Sequence, residues 1–411
     1  MVIKDFEQAN AALAVFVHRG RGQYTLARMR KLMSGLGDPQ NNLKVVHVAG
    51  TAGKTSTCYY LAALLAQGGA QVGMTVSPHI DEVNERIQIG GVPLAEAKFC
   101  RLLSEFLALE VVSETKPTYF ELLVAFAFWV FAKEQVDYAV VEVGLGGLLD
   151  GTNVIANPNK ICVITDIGID HTQVLGNSLS EIATQKAGII QQGNVVFTFA
   201  RQPQVLSLLQ ARASEVGAKL HALRHVSRPT KLLPIQQKNW DLAWEVFKYL
   251  SQRDGLVSIN DKQKVASQHM LVPGRLERRH VGGKTVVLDG AHNPAKIAAL
   301  ATSLAIVFKG QSCTVVFGMV ETKRQHVAEC LELLRPLSNV LIVTAFMPKQ
   351  DLPHRAIDPV VLAQAAKEQG YRRVIVEPDA PAALRRALSG TTDNVLVTGS
   401  FYLLSEIHKV V

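Results

Sequence analysis

The 411-residue chain has no apolar run long enough to cross a bilayer. Its most apolar stretch, Tyr119 to Ala132, contains Glu121 and ends at Lys133-Glu134. That falls short of the roughly 18 apolar residues a span requires, so a buried helix is expected there and no membrane partner. The N-terminus, MVIKDFEQAN, has acidic residues early and no apolar core, which argues against a secretory signal. Cysteine is sparse. Cys58, Cys100, Cys162, Cys313 and Cys330 are scattered, odd in number and never in a Cys-x-x-Cys pair. This argues against a disulfide scaffold or a zinc site and fits a reducing cytoplasm. There is no internal repeat, no low-complexity tract and no dense basic or basic-aromatic run. The formal net charge of +8 therefore points away from nucleic acid. It suits a basic surface that attracts small polyanions such as nucleotides and oligo-carboxylates.

What is present is ordinary globular composition, 48% hydrophobic and 19% charged, at a length that favours two domains over one. Short apolar runs alternate with helical stretches. Lys44 to Ala49 (KVVHVA) leads into a glycine loop and a helical stretch from about Ser56 to Ala66. Val136 to Val143 and Lys160 to Thr165 are further buried-strand candidates. After about Leu271 the pattern restarts, with candidates at 284–288, 312–317, 340–344, 373–376 and 394–398. Apolar strands separated by helices predict an α/β fold with a doubly wound, mostly parallel sheet. The expected division is a P-loop-containing domain over 1–270 and a second, smaller Rossmann-like α/β domain over 271–411. Pro273-Gly274 lies just past the boundary.

The first run enters Gly50-Thr51-Ala52-Gly53-Lys54-Thr55-Ser56 directly. Glycines let the backbone turn tightly and aim its N–H groups inward, and the helix N-terminus that follows adds partial positive charge. Lys54 adds a full charge for the terminal phosphates, and Thr55 is the hydroxyl expected on a phosphate-bound Mg²⁺. A standard P-loop would carry glycine at Val48; this is the shorter Gly-x-x-Gly-Lys-Thr form. A plain strand-to-helix turn is the bland alternative, but strand, loop, Lys-Thr and helix all occur in the right order.

Glu142 ends a buried strand at the carboxyl edge, where open α/β sheets bind ligands. A carboxylate there is costly unless it is paired or holds a metal. His171 follows the next strand, in Asp166-Ile167-Gly168-Ile169-Asp170-His171, and Ser77-Pro78-His79 occupies another loop. Hydroxyl, carboxylate and imidazole at one sheet edge would suit Mg²⁺, which keeps several waters and takes few protein ligands.

Eight segments, HVAGTAGKTST, SPHIDEVNERIQIGG, EVGLGGLLDGTN, DIGIDHTQVLG, IATQKAGII, PGRLE, LDGAHNP and VTGSFYLLSEI, together span about Leu43 to Glu406. Their order resembles the folylpolyglutamate synthase/dihydrofolate synthase family of Mur-type ligases. The resemblance implies a Mur-type central domain holding ATP at Gly50, Thr51, Gly53, Lys54, Thr55 and Ser56. It implies Mg²⁺, two ions, at Thr55, Ser77, Glu142, His171 and Lys186. Lys186 in QKAGI matches a lysine that family members carry as a carbamate. Asn239 in QKNWDLAWEVF aligns with an ATP-contacting asparagine. Arg275, Asp289 and His292 would reach the nucleotide from the hinge and second domain. Lys54, His171 and Lys186 would be the catalytic set. The sequence departs from the family pattern at Ala52, usually asparagine, at Thr55, more often glycine, and at Leu148, usually arginine. The segment GQYTLARMRKLMSGLGDPQ loosely resembles the family's N-terminal pterin-binding stretch.

The reaction implied is phosphorylation of an acceptor carboxylate by ATP, followed by attack of the L-glutamate amine on the acyl phosphate. The acceptor would be a folate or dihydropteroate, and the enzyme a cytoplasmic monomer. Two other readings are open. A Mur-type ligase for another carboxylate, such as a cell-wall precursor, would be expected to carry a nucleotide-sugar domain ahead of the loop; 49 residues precede Gly50. A nucleotide-binding regulator without ligase activity would be expected to have lost Lys54, Glu142, His171 or Lys186, and all four are present.

Overall fold

The computed structural model describes residues 2–17, 25–223, 232–347 and 355–410. Residues 22–24, the start of the stretch that resembles a pterin-binding segment, lie outside them. The chain forms two compact units, Met1–Leu232 with Gln236–Met270, and Leu233–Ile235 with Leu271–Val411.

The first unit is built on eight strands: β1 (Lys44–Ala49), β2 (Val72–Thr75), β3 (Gln88–Ile89), β4 (Val92–Pro93), β5 (Tyr138–Glu142), β6 (Ile161–Ile164), β7 (Val195–Thr198) and β8 (Lys219–Ala222). They are ordered β4-β3-β2-β5-β1-β6-β7-β8. From β2 to β8 the pairs are parallel, and β3 and β4 add an antiparallel edge. The central strands β5, β1 and β6 are covered on both faces, which is why their sequences are continuous apolar runs rather than alternations. Parallel neighbours need crossovers, and helices supply them.

One is the helix Tyr119–Lys133, buried along almost its whole length. Thr118 and Glu121 form a capping box at its start. Glu121 is the one acid inside the apolar run, and Arg28 pairs with it at 2.6 Å. Around this helix Phe99, Phe106, Phe126 and Trp129 make a chain of edge and tilted ring contacts. The helix Lys54–Gln67 starts two residues earlier than its apolar periodicity suggests, because left-handed Gly53 stands at its N-cap and lets the turn close at once.

The second unit holds β9 (Glu277–Val281), β10 (Lys284–Asp289), β11 (Cys313–Phe317), β12 (Ser338–Val343), β13 (Val374–Val376) and β14 (Asn394–Thr398), ordered β13-β12-β11-β14-β10-β9. All pairs are parallel except β9 with β10. β9 carries a buried carboxylate, Glu277. It accepts the Gly274 N–H at 2.8 Å, faces His408 Nε2 at 3.1 Å and pairs with Arg279 at 2.7 Å. Burial alone would raise its pKa, but these three partners prevail and hold it down at about 2, against an ordinary value of 4.5. A depressed carboxylate contributes stability above the unfolded-state pKa and loses it as pH falls toward the folded one. The second unit should therefore lose stability between about pH 4.5 and 2, and Glu277→Gln should be less stable at neutral pH while flattening that acid limb. Thermal melts across the acid range, wild type against variant, read both effects.

Candidate active site

In the first unit the loop between β1 and the helix Lys54–Gln67 is shaped by contacts that only glycine allows. A Cβ added at Gly50 would lie 1.8 Å from Thr165 Oγ1. Gly53 has φ +83°, and a Cβ there would lie 2.4 Å from Asn239 Oδ1. Asn239, on the helix Pro234–Asp254, is thus packed against the loop backbone. Thr165, after β6, donates to the Ala52 carbonyl at 2.6 Å. Thr51 Oγ1 donates to the Gly168 carbonyl at 3.0 Å and accepts the Gly168 N–H at 3.1 Å, and the Thr51 N–H donates to Asp166. Lys238 pairs with the Asp166 carboxylate at 2.7 Å. The loop is therefore clamped by the segment after β6 and by the asparagine helix.

Two ammonium groups meet at one end of this loop. Lys54 Nζ donates to the Gly50 carbonyl at 3.1 Å, and buried Lys186 Nζ donates to the same oxygen at 3.0 Å. At the other end stands a carboxylate. Glu142, at the end of β5, accepts the Thr55 hydroxyl at 3.0 Å on one oxygen and the Ser77 N–H at 3.2 Å on the other. Thr55, Ser77 and Glu142, read from the sequence as metal-side residues, are thereby joined. Ser56 is buried in the first turn of the helix.

His171 lies in the loop after β6 with φ +51°, its side chain 44% exposed. Its N–H donates to Asp170 Oδ1 at 2.9 Å and its imidazole stands 3.8 Å from the same carboxylate. His79 has a different task. It accepts from Arg86 Nε at 2.8 Å, and burial together with that guanidinium keeps it neutral, with its pKa well below 6.5.

A buried polar chain went unread in the sequence. His47 on β1 lies 2.8 Å from Thr152 Oγ1 through Nε2, and that hydroxyl donates to Asp150 Oδ1 at 2.5 Å. Asp150 also accepts the Thr152 N–H at 3.0 Å and, on its second oxygen, the Leu145 N–H at 2.8 Å. Burial raises the Asp150 pKa; burial and Lys160 lower that of His47. The chain ties the glycine-rich loop after Glu142 to the interior of the sheet. Its signal was the DGTN segment, where an acid and a threonine two residues apart read as an Asx-type turn.

In the second unit, Asp289 ends β10 and is buried. It accepts the Leu276 N–H at 2.8 Å and the Ala291 N–H at 2.9 Å. Burial raises its pKa, and Arg275 opposes that rise. The Arg275 guanidinium lies 4.1 Å above the Phe401 ring. His292 contacts the Gly290 carbonyl through Nδ1 at 2.7 Å and Lys296 Nζ through Nε2 at 3.1 Å. A carbonyl can only accept and an ammonium only donate, which fixes the neutral Nδ1–H tautomer. Arg275, Asp289 and His292 thus gather at one strand end of this sheet.

A parallel sheet with a glycine loop, a Lys-Thr pair and a strand-end glutamate at its carboxyl edge, followed by a second α/β unit, defines a Mur-type ligase. The Mur ligase middle domain matches residues 48–223, and the Mur ligase glutamate ligase domain matches 274–401. The chain is 34% identical to the dihydrofolate synthetase of Saccharomyces cerevisiae over 94% of its own length and 97% of that protein. Folylpolyglutamate synthase of Mycobacterium tuberculosis, complexed with ADP, superposes with TM-score 0.86 at 29% identity, covering 98% of this chain and 97% of that one. The bifunctional folylpolyglutamate synthase/dihydrofolate synthase of Yersinia pestis, complexed with AMPPNP and Mn ion, gives TM-score 0.82 at 25% identity over 99% and 98%. The chain belongs to the folylpolyglutamate synthase/dihydrofolate synthase family of ATP-dependent ligases.

The loop geometry yields a test. Gly53→Ala forces a left-handed alanine, about 1 kcal/mol or more, and drives its methyl into Asn239. KM for ATP should rise at least about tenfold and the thermal midpoint should fall. Initial rates against ATP concentration and a melt of the free protein check the two halves separately.

Proposed function

We propose that this chain joins L-glutamate to the carboxylate of a folate or dihydropteroate, using ATP and a divalent cation. The single observation that carries the reading is the pair of lysines on the Gly50 carbonyl, opposed across the loop by the Glu142 carboxylate. A carboxylate does not react with an amine at neutral pH because its oxygen is a poor leaving group. Transfer of the γ-phosphoryl makes the acyl phosphate; the glutamate amine then attacks and phosphate departs. Such chemistry asks the protein for position and charge stabilisation rather than covalent roles.

Gly50, Thr51, Gly53, Lys54, Thr55 and Ser56 receive the phosphates. Thr55, Ser77, Glu142 and His171 hold Mg²⁺. The hard oxygen donors of Thr55 and Glu142, already 3.0 Å apart at a helix N-terminus, fit that ion. The metal supplies charge neutralisation between the terminal phosphates. Asn239, Arg275, Asp289 and His292 serve the nucleotide; Asp289 does so by fixing the backbone next to Arg275 and His292.

Lys186 is carbamylated in the working enzyme and contributes to a second Mg²⁺. The support is electrostatic: two ammonium groups within about 6 Å of each other repel, and carbamylation inverts one of the charges. A cavity of about 350 Å³ at Leu148 and Leu149, in the segment that follows Glu142, supports an aromatic acid as acceptor. Leu26, Leu148 and Leu149 give it an apolar wall, and Arg30 and Arg212 give it charge. The enzyme works as a monomer in the cytoplasm, where its five buried free thiols would stay reduced.

An ADP-release assay with glutamate and a panel of dihydropteroate, tetrahydrofolate and cell-wall precursors is the direct test. Turnover only with a cell-wall precursor would overturn the acceptor assignment. Lys54→Ala should abolish turnover with the fold intact, since a loop lysine adds little to the core. For Lys186, activity of a bicarbonate-depleted sample should fall and recover on adding bicarbonate, and Lys186→Ala should lose most activity. A wild-type rate from that variant would remove the carbamate from the mechanism.

A further inference from the structure

We propose that His47 is a positioning residue: through Thr152 and Asp150 it holds the wall of the acceptor cavity in register with the phosphate loop. The inference rests on the reading of the cavity at Leu148 and Leu149 as the acceptor site. Every residue it uses lies in the first unit. His47 is fully buried on β1, paired on one side with β5 and on the other with β6. The same strand runs on into Gly50 and the phosphate loop. Asp150 stands in the segment after Glu142, next to Leu149. One short polar chain thus joins the strand that carries the phosphate loop to the segment that walls the cavity.

The direction of the chain follows from its ends. A carboxylate only accepts, so Asp150 Oδ1 takes the Thr152 hydroxyl hydrogen at 2.5 Å. The Thr152 oxygen is then left to accept from His47 Nε2 at 2.8 Å, which places the imidazole proton on Nε2. Burial and Lys160 keep the ring neutral. Nδ1 is buried without a hydrogen-bond partner among the described residues, and in this tautomer it is spared an unmatched N–H. At the far end Asp150 takes hold of main chain, accepting the Thr152 N–H at 3.0 Å and the Leu145 N–H at 2.8 Å. The segment closes tightly on that carboxylate, since a Cβ at Gly144 would lie 3.2 Å from Asp150 Oδ2. Leu148, Leu149 and Asn153 from this segment line the cavity. What the chain secures is geometry. An acceptor carboxylate must meet the γ-phosphate within a narrow range of distance and angle, and a small misplacement of its wall costs rate heavily.

The experiment measures steady-state ADP release by the full chain with ATP, Mg²⁺ and glutamate, against dihydropteroate and against tetrahydrofolate. His47→Leu removes the donor, and Thr152→Val breaks the chain with almost no change of shape, so it reports even where His47→Leu folds poorly. Each should lower kcat/KM for the acceptor at least about tenfold and leave KM for ATP within about twofold of wild type. His47→Gln puts an N–H close to the place of Nε2 and should recover kcat/KM to within about threefold of wild type. The double variant His47→Leu/Thr152→Val should be less than about twofold worse than the poorer single one, because both cut the same chain. A histidine with a merely structural role would lower the thermal midpoint and leave the acceptor parameters of the folded protein unchanged. Leu149→Glu, which sets a carboxylate on the cavity wall, tests the cavity itself and should raise KM for an acidic acceptor at least about tenfold. If Leu149→Glu does so while Thr152→Val shifts only the thermal midpoint, or moves KM for ATP as much as that for the acceptor, the role of His47 is overturned and the cavity reading stands. A His47→Gln variant as poor as His47→Leu overturns it equally. If Leu149→Glu leaves acceptor KM unchanged, or neither acceptor is turned over by wild type, the cavity reading falls and takes the role of His47 with it.

Discussion

Two cations sharing one carbonyl oxygen set the terms for the first unit. Lys54 and Lys186 both donate to the Gly50 oxygen, so the loop concentrates positive charge where its backbone turns. Such an arrangement is held only by a scaffold that does not give way. Thr165, the Thr51–Gly168 pair and Asn239 supply that stiffness from two other segments. Glu142 keeps negative charge at the helix end, fixed by Thr55 and the Ser77 N–H. The loop is thus polarised along its length. In the reaction proposed here, that polarity matches a phosphate chain with a cation on one side.

The second unit solves a parallel problem with different means. A buried Asp289 fixes two backbone segments through their N–H groups, and an aromatic ring lies beneath the guanidinium of Arg275. In both units a buried carboxylate accepts main-chain N–H groups, that of Ser77 at Glu142 and those of Leu276 and Ala291 at Asp289.

The parts of the fold that could be read in advance were those whose sequence answers to one physical demand. β1, β5, β6, β10, β11 and β14 are buried along most of their length on both sides, and their β-branched runs say so. β9 did not announce itself. ERRHV faces outward at three of five positions and pairs antiparallel at an edge, so no apolar run marks it. β3 and β4 are two residues each, too short for any pattern. At the site, the loop was legible because glycine, lysine and threonine have fixed spacing there. The His47–Thr152–Asp150 chain was not, since it joins residues 105 apart that look like core and turn in their own contexts. Phe401 stood within a quoted segment, yet nothing local shows that its ring would lie under Arg275, far away in sequence.

The anchoring of the glycine loop after Glu142 also bears on how such a protein diverges. Asp150 holds the Leu145 N–H, Asn153 holds the Leu148 carbonyl at 3.0 Å, and the Leu148 N–H reaches Gln185 at 2.7 Å. All of these bonds grip main chain. The side chains of Leu148 and Leu149 stand 37% and 43% exposed and make none of these hydrogen bonds. The path of the loop and the character of its exposed face therefore rest on different atoms. Exchanging arginine for leucine at residue 148 would change the exposed face of the loop while the hydrogen bonds that set its path remain. A change of that face then needs no compensating change in the main-chain bonds beneath it.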